Sequence, residues 1–165
     1  MTRGIQASMA LRIGDTAPHF DLTASDGRRV RFDDLRGKKH VVLYFYPADF
    51  TPVCTAEACG FRDMYADLAS QDTEVIGVSI DSDAKHQAFA QKHNVTFPLV
   101  ADPERQLARA YDAAGGLSSL MGKAQRITYV IGKDGKIHGV FDSALFAKRH
   151  LDGVRETLRG LGATM

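Results

Sequence analysis

The sequence predicts an α/β protein in which a central mixed β-sheet lies between flanking helices, preceded by an N-terminal β-hairpin. Apolar, strand-like stretches alternate with helical patterns in the order β-α-β-α-β-α-β-β-α. Such alternation is typical of parallel strands covered by helices. Two Asp-Gly pairs, at 26–27 and 134–135, mark hairpin turns. The second of these hairpins adds an antiparallel part to the sheet, which makes the sheet mixed.

The strands begin with the N-terminal hairpin. Residues 28–32 alternate between polar and apolar side chains directly after the first Asp-Gly pair, so we expect them to pair with residues 20–24. The longest of the later strands contain near-continuous apolar runs, as strands covered on both faces should. The predicted later strands are 41–46, 74–80, 98–100, 126–132 and 136–142.

Helical patterns fill the stretches between these strands. They lie at 52–69, 83–93, 104–113 and 148–160. Ser82 is the expected N-cap of the second helix, because a serine hydroxyl can accept a free N–H of the first turn. Asp102 is the expected N-cap of the third helix, with Pro103 at the first helical position, where a missing N–H costs nothing.

Composition describes one ordinary domain and excludes several classes of protein. The 165 residues contain 21 Lys and Arg against 20 Asp and Glu, and no basic run is longer than two residues, so nothing indicates nucleic acid or an anionic membrane. No apolar run approaches the roughly 20 residues of a membrane span, and no signal-peptide core is present, so a cytoplasmic location is expected. We expect residues 1–8 to be a flexible extension and residues 9–165 to be a single domain.

Cys54 is a candidate nucleophile because of where it falls. The strand 41–46 runs into Pro47, and Thr51-Pro52 is typical of a helix start, with Thr as the N-cap and Pro in the first turn. Cys54 then occupies the third helical position, where unsatisfied N–H groups and the helix dipole favour an anion. A thiolate, the reactive form of cysteine, is stabilised at such a position. The end of a strand is also where α/β folds place their sites.

Cys59 lies five residues further on, about 140° around a regular helix. The two sulfurs should therefore point to different sides, too far apart for an unstrained disulfide unless the first helical turns unwind. This spacing favours a transient disulfide over a permanent one. On spacing alone, the alternative that both cysteines are small buried hydrophobic residues remains open.

The same segment resembles the peroxiredoxins. Residues 47–54 fit the pattern P-x-x-x-T/S-x-x-C, and TPVCTAEACGFRD at 51–63 is similar to the bacterioferritin comigratory protein, or peroxiredoxin Q, subfamily. Val53 departs from the glycine usual in that subfamily. The resemblance implies a thioredoxin-like fold and extends over nearly the whole chain, through the segments 13–22, 77–82, 97–103 and 126–137.

The resemblance implies a role for each matching residue. Cys54 would be the peroxidatic cysteine, and Thr51 and Arg126 would donate hydrogen bonds to the peroxide oxygens, while Pro47 would shield the pocket from water. Glu57 could orient an arginine. Read without the family, Thr51 could be a plain N-cap, and Arg126 and Glu57 could be surface charges.

The resemblance also implies how turnover is completed. Cys59 would resolve the Cys54 sulfenic acid as an intramolecular disulfide, and thioredoxin or a glutaredoxin would reduce it. A monomer follows from the same subfamily, since the disulfide needs no partner chain. Two other interpretations remain: a peroxide-sensing redox switch or binding module that uses the same disulfide, and a structural protein with inert cysteines.

No metal or cofactor is expected. His86 and His93 would lie about 10 Å apart along one helix, too far to share an ion. Asp81 and Asp83 lack the Gly and Glu that a calcium loop needs at the following positions. The glycine spacing of residues 115–124 does not fit a phosphate-binding loop, and no motif indicates haem or flavin.

Overall fold

The computed structural model describes residues 11–113, 126–142 and 147–162. The expected extension at 1–8 and the loop at 115–124 lie outside these ranges. The strands are β1 Asp21–Thr23, β2 Arg29–Arg31, β3 His40–Phe45, β4 Thr73–Ser79, β5 Leu99–Ala101, β6 Ile127–Ile131 and β7 Ile137–Asp142. The helices are α1 Phe32–Leu35, α2 Pro52–Ser70, α3 Asp83–His93, α4 Gln106–Ala110 and α5 Ala147–Gly160. None of the helices described is long and apolar enough to cross a membrane.

The central sheet has five strands in the order β5-β4-β3-β6-β7. Strand β3 pairs in parallel with β4 and antiparallel with β6, while β1 and β2 form a separate antiparallel hairpin. The predicted mixed sheet and N-terminal hairpin are therefore confirmed. In this arrangement the carboxyl end of β3 lies beside the amino end of β6.

Side chains of β3 alternate between two apolar cores, as a strand buried on both faces requires. Val41, Leu43 and Phe45 face the core that includes the hairpin and α4. Val42 and Tyr44 face the core built with α2, α3 and α5. Helix α2 thus lies against one face of the sheet, with its first turn next to the carboxyl end of β3.

Most predicted elements are confirmed with boundaries that differ by one residue or none. Helix α3 begins and ends as predicted, and the Ser82 side chain accepts the Lys85 backbone N–H at 3.2 Å. Strand β3 begins and ends one residue earlier than predicted, and α2 extends one residue further. The periodicity of the apolar residues was sufficient to predict these elements because each of them packs against the core.

The prediction for the third helix was wrong at its start. Arg105 adopts a left-handed conformation (φ 57°), so the helix begins only at Gln106 and Pro103 lies outside it. Asp102 is not the N-cap residue. Its carboxylate reaches over this turn and accepts the N–H groups of Leu107 and Ala108, at 3.2 and 2.9 Å. The Asp102 carboxylate therefore still accepts free N–H groups in the first turn of α4, although Asp102 lies outside the helix.

A short helix at the end of the hairpin was not predicted. Phe32 was expected to end a strand, but it begins α1. Its backbone N–H donates to the Phe20 carbonyl at 2.8 Å, and its side chain is buried. The pairing of the hairpin therefore continues to the Phe32 N–H, and the chain then turns into α1 with the Phe32 ring in the core.

Candidate active site

A short loop joins the carboxyl end of β3 to the start of α2. Pro47 follows the strand and is half-buried. Phe50 has a left-handed backbone (φ 65°), and its ring, 43% exposed, packs edge-on against Phe89 with ring centres 5.2 Å apart. Thr51 then returns to an extended conformation as the N-cap residue of α2. This loop positions the first turn of the helix at the end of the sheet.

The Thr51 hydroxyl does not cap the helix. It donates instead to the carbonyl of Ala48 at 2.9 Å and so closes the loop on itself. The position predicted for the N-cap is correct, but the expected side-chain cap is absent. Because the hydroxyl proton is used inside the loop, the oxygen lone pairs are left to accept a hydrogen bond.

Cys54 is the third residue of α2 and is 1% exposed. The first hydrogen bond from within the helix joins the Thr55 N–H to the Thr51 carbonyl, so the N–H of Cys54 belongs to the unsatisfied first turn. Arg126, directly before β6, donates from Nη2 to Cys54 Sγ at 3.0 Å. Arg126 is 7% exposed, so its interpretation as a surface charge is wrong.

Glu57 lies one turn further along α2 and is fully buried, which excludes its interpretation as a surface charge. Arg126 Nη1 donates to Glu57 Oε1 at 3.1 Å, so one guanidinium contacts both the carboxylate and the Cys54 sulfur. Burial raises the pKa of Glu57 to about 7, although Arg126 and the Thr128 hydroxyl act in the opposite direction. The Glu57 carboxyl group therefore gains or loses its proton near neutral pH.

Two further residues of this cluster were missed from the sequence. The Thr128 hydroxyl donates to Glu57 Oε2 at 3.3 Å and lies 2.7 Å from Nδ1 of His150, which is itself 3.3 Å from the same carboxylate oxygen. Both side chains are fully buried. Thr128 could have been found, because it lies two residues after Arg126 on the same face of a strand. His150 gave no such signal in its helix.

Cys59 has very different surroundings on the same helix. It is half-buried, and its Sγ lies 4.0 Å from Nδ1 of His93, the last residue of α3. Both cysteines are free thiols within an intact α2. The structure therefore brings Cys54 together with Arg126 and Glu57 but keeps Cys59 apart from them.

A second buried network anchors the loop from its other side. The Asp49 carboxylate accepts from the Tyr46 hydroxyl at 2.6 Å and lies 2.6 Å from His86 Nδ1. The Asp49 N–H donates to Asp81 Oδ2, at 2.7 Å. Within the described ranges, Asp49, Asp81 and His86 are the one group of three possible ligands close enough to share an ion. His86 bonds the Asp49 carboxylate and Asp81 bonds the Asp49 N–H, so the group acts as an anchor between β3, β4 and α3.

Comparison with known proteins identifies the family. Residues 13–140 match the AhpC/TSA family. The chain belongs to this family. It is 44% identical to peroxiredoxin Bcp of Bacillus subtilis over 133 residues, which cover 78% of this chain and 83% of that protein. It is 38% identical to the chloroplastic peroxiredoxin Q of Sedum lineare over 149 residues, 90% of this chain and 78% of that one.

The fold agrees with these relatives. The crystal structure of peroxidoxin BcpB from Mycobacterium tuberculosis superposes with a TM-score of 0.82 at 34% identity, covering 92% of this chain and 98% of that one. The chain is therefore a peroxiredoxin with a thioredoxin-like fold, and its enzyme class is that of a thiol-dependent peroxidase. The resemblance seen in the sequence is confirmed at the level of family, fold and class.

The geometry suits thiol chemistry on a peroxide. A buried sulfur faces a guanidinium that is fixed by a second contact to a carboxylate. Such fixed donors are effective where charge develops during a reaction, since they need no reorganisation. In the peroxiredoxin, Pro47 and Thr51 lie in the loop directly before this sulfur, as predicted.

Proposed function

We propose that Cys54 is the peroxidatic cysteine and that Thr51, Arg126 and Pro47 form its pocket. The observation that carries this proposal is the 3.0 Å contact between Arg126 Nη2 and Cys54 Sγ in a buried first helical turn. A guanidinium at this distance interacts favourably with negative charge on the sulfur, and a negatively charged sulfur is the nucleophilic form of cysteine. Glu57 supports the pocket by holding the other arm of the guanidinium.

The first step oxidises this sulfur. The Cys54 thiolate attacks one oxygen of a hydroperoxide, the O–O bond breaks, and the cysteine becomes a sulfenic acid. The second oxygen leaves as hydroxide or alkoxide and takes up a proton to become water or an alcohol. Arg126 and the Cys54 N–H stabilise the negative charge on the leaving oxygen in this proposal, which the contact between Arg126 and Cys54 supports. Thr51 was expected to donate to the peroxide, but its hydroxyl proton is bonded to the Ala48 carbonyl, so in this proposal its oxygen accepts a hydrogen bond from the hydroperoxide.

The second step joins the two cysteines. Cys59 attacks the Cys54 sulfenic acid, water leaves, and an intramolecular disulfide forms. In the intact helix, residues five apart are separated by about 7.5 Å along the axis, more than a disulfide permits. The first turns of α2 therefore open before the bond forms, a local unfolding typical of helix ends.

The remaining parts of the cycle are proposed by analogy with the family. Hydrogen peroxide and organic hydroperoxides are the proposed substrates, and thioredoxin or a glutaredoxin is the proposed reductant, by thiol–disulfide exchange. A cytoplasmic monomer is the proposed form of the protein. The alternative function, a peroxide-sensing redox switch or binding module, would use the same disulfide without efficient turnover.

Coupled turnover tests both functions. Peroxide-dependent oxidation of NADPH should be measured with the protein, thioredoxin and thioredoxin reductase, and separately with glutaredoxin and glutathione. We expect steady turnover with the wild type, none with Cys54→Ser, and a single oxidation without thioredoxin recycling in Cys59→Ser. Peptide mapping after one equivalent of peroxide should find the Cys54–Cys59 disulfide in the wild type.

Three outcomes would change the assignment. Full turnover by Cys54→Ser would contradict the peroxidatic role of Cys54. Rapid formation of the disulfide without turnover in either reductant system would favour the redox switch. Survival of both thiols after one equivalent of peroxide would contradict both functions.

A further inference from the structure

Cys59 lies beside the His93 imidazole and near the Arg62 guanidinium, two groups that the mechanism above does not use. Its Sγ is 4.0 Å from Nδ1 of the His93 imidazole. Arg62, three residues further along α2, donates from Nη1 to the His93 carbonyl at 2.8 Å, and its other atoms pair with Asp63. The pKa of Arg62 is raised, first by its hydrogen bond with Asp63 and in smaller part by the nearby Cys59.

The His93 ring is held in place by aromatic neighbours. It lies 4.9 Å from the Phe89 ring and 6.3 Å from the Phe50 ring, centre to centre. Nδ1 is the ring nitrogen that faces Cys59. The packed ring therefore presents Nδ1 to the Cys59 thiol, in position to accept its proton.

Helix α3 holds both ends of the segment that must open. His86, two turns before His93 on the same face, bonds Asp49 in the loop before α2, at 2.6 Å. His93 and its carbonyl contact Cys59 and Arg62 at the other end. Residues 50–58 lie between these two attachments and contain Cys54. Opening of this segment alone allows Cys54 to move while Cys59 stays in contact with His93 of α3.

The length of the segment permits this movement. Five unwound residues span up to about 17 Å from either attachment. Cys54 therefore has enough chain to approach Cys59 to the Cα separation of about 4.4–6.8 Å that a disulfide requires. Because a helix frays from its end, the turn that carries Cys54 should open before the turn that carries Cys59.

We propose that His93 is a catalytic residue of the resolution step, acting as the general base for Cys59. This inference rests on the proposed function of Cys59. His93 Nδ1 accepts the Cys59 proton, and the thiolate attacks the Cys54 sulfur. The S–S bond forms as the S–O bond breaks, and the leaving hydroxide takes the proton from the imidazolium to become water. The Cys59 sulfur is oxidised and the Cys54 sulfur is reduced from the sulfenic to the disulfide level.

The test separates the two chemical steps in time. Wild type, His93→Gln and His93→Phe should be mixed with one equivalent of hydrogen peroxide, quenched by a thiol-alkylating reagent and a sulfenic-acid trap, and quantified by mass spectrometry. His93→Phe keeps an aromatic ring against Phe89 but has no nitrogen. His138→Gln is the matched control, since His138 is also half-buried but bonds Asp134 and lies near the far end of α2, not near Cys59 or α3.

The expected rates of the two steps follow from general-base catalysis by His93. Both His93 variants should form the sulfenic acid at the wild-type rate but convert it to disulfide at least about tenfold more slowly at neutral pH. With rising pH, the variants should approach the wild type, because an unassisted thiol ionises near about pH 8.5. The delayed sulfenic acid should also be overoxidised to sulfinic acid at lower peroxide excess. The His138→Gln variant should match the wild type in each respect.

Two results would overturn the inference. One is disulfide formation by His93→Gln at the wild-type rate at neutral pH. The other is a slowing that is equal at every pH, which would indicate a structural role only. Failure of the proposed function is seen separately, since in that case the wild type itself would form no Cys54–Cys59 disulfide after peroxide.

Discussion

The two cysteines of α2 lie less than two helical turns apart but in opposite kinds of surroundings. Cys54 is fully buried and contacts a guanidinium that is itself fixed by the Glu57 carboxylate. Cys59 is half-buried, and its contact with His93 is long, at 4.0 Å. One site is rigid and closed, and the other is accessible.

This difference matches the two steps of the proposed reaction. Attack on a peroxide gains most from donors that are already in place, so a rigid pocket favours it. Formation of the disulfide needs movement of the helix start that carries Cys54, so a partner that lies outside the pocket and stays against α3 favours that step. A single helix can serve both because its N-terminal turn packs on fixed charges, whereas its next turn faces another helix.

We call Cys54 and its contacts with Arg126 and Glu57 the closed side of the site. Substitution of Arg126 should have the largest effect there on the rate of Cys54 oxidation. Arg126→Met removes the donor to Cys54 Sγ and keeps a side chain of similar length. We expect the rate of Cys54 oxidation to fall about 10²–10³-fold, the usual cost of losing one donor at a developing oxyanion. The measurement is stopped-flow oxidation by hydrogen peroxide in a Cys59→Ser background, where resolution does not interfere.

Arg29→Met is the control for this prediction. Arg29 forms an ion pair with Asp21 in the exposed hairpin, at 2.6 Å, far from α2 in the sequence and on a different sheet. The Arg29→Met substitution should leave the rate of Cys54 oxidation unchanged. A loss of less than threefold in Arg126→Met, with the fold intact by circular dichroism, would contradict the role of the guanidinium.

Two Asp–His pairs, one buried and one exposed, test how the closed side is anchored. His86→Leu leaves the buried Asp49 carboxylate without its imidazole partner, and we expect the free energy of unfolding to fall by about 3 kcal/mol. His19→Leu breaks a pair with Asp33 whose side chains are more than half exposed, and should cost less than about 1 kcal/mol. Urea denaturation of the reduced proteins measures both. Equal losses would contradict the anchoring role of His86.

The sequence predicted the closed side better than the rest of the site. Cys54 was found from helix-start signals, and Arg126 from a family match, because each lies at a junction where a strand and a helix begin or end. Apolar periodicity likewise predicted nearly every strand and helix. These signals are local, so a single sequence contains them.

The residues that were missed depend on contacts between distant parts of the chain. His150 meets Glu57 only because α5 and α2 pack on the same face of the sheet. His86 and His93 were considered only as metal ligands, and the structure instead gives each a partner near one end of the opening segment. Side-chain partners such as these follow from packing, which no local pattern of residues records.

Glu57 provides the last test of the surroundings of Cys54. Burial raises the pKa of its carboxyl group from 4.5 to about 7. Between these values the unfolded chain loses the proton while the folded protein keeps it, so a rise in pH favours the unfolded state. Compared with Glu57→Gln, the wild type should lose about 3 kcal/mol of stability from pH 4.5 to about pH 7, and no more above that.

Urea unfolding of both reduced proteins across this pH range checks the sign. His150 and Arg126 contact the carboxylate in the wild type and remain in the variant, so the difference between the two curves isolates Glu57. If the wild type instead gained stability over Glu57→Gln with rising pH, pairing with Arg126 would outweigh burial, and the carboxylate would be ionised throughout. The guanidinium would then pair with an anionic Glu57 as well as with the Cys54 sulfur, whereas a carboxyl group that holds its proton near neutral pH leaves the positive charge to the sulfur.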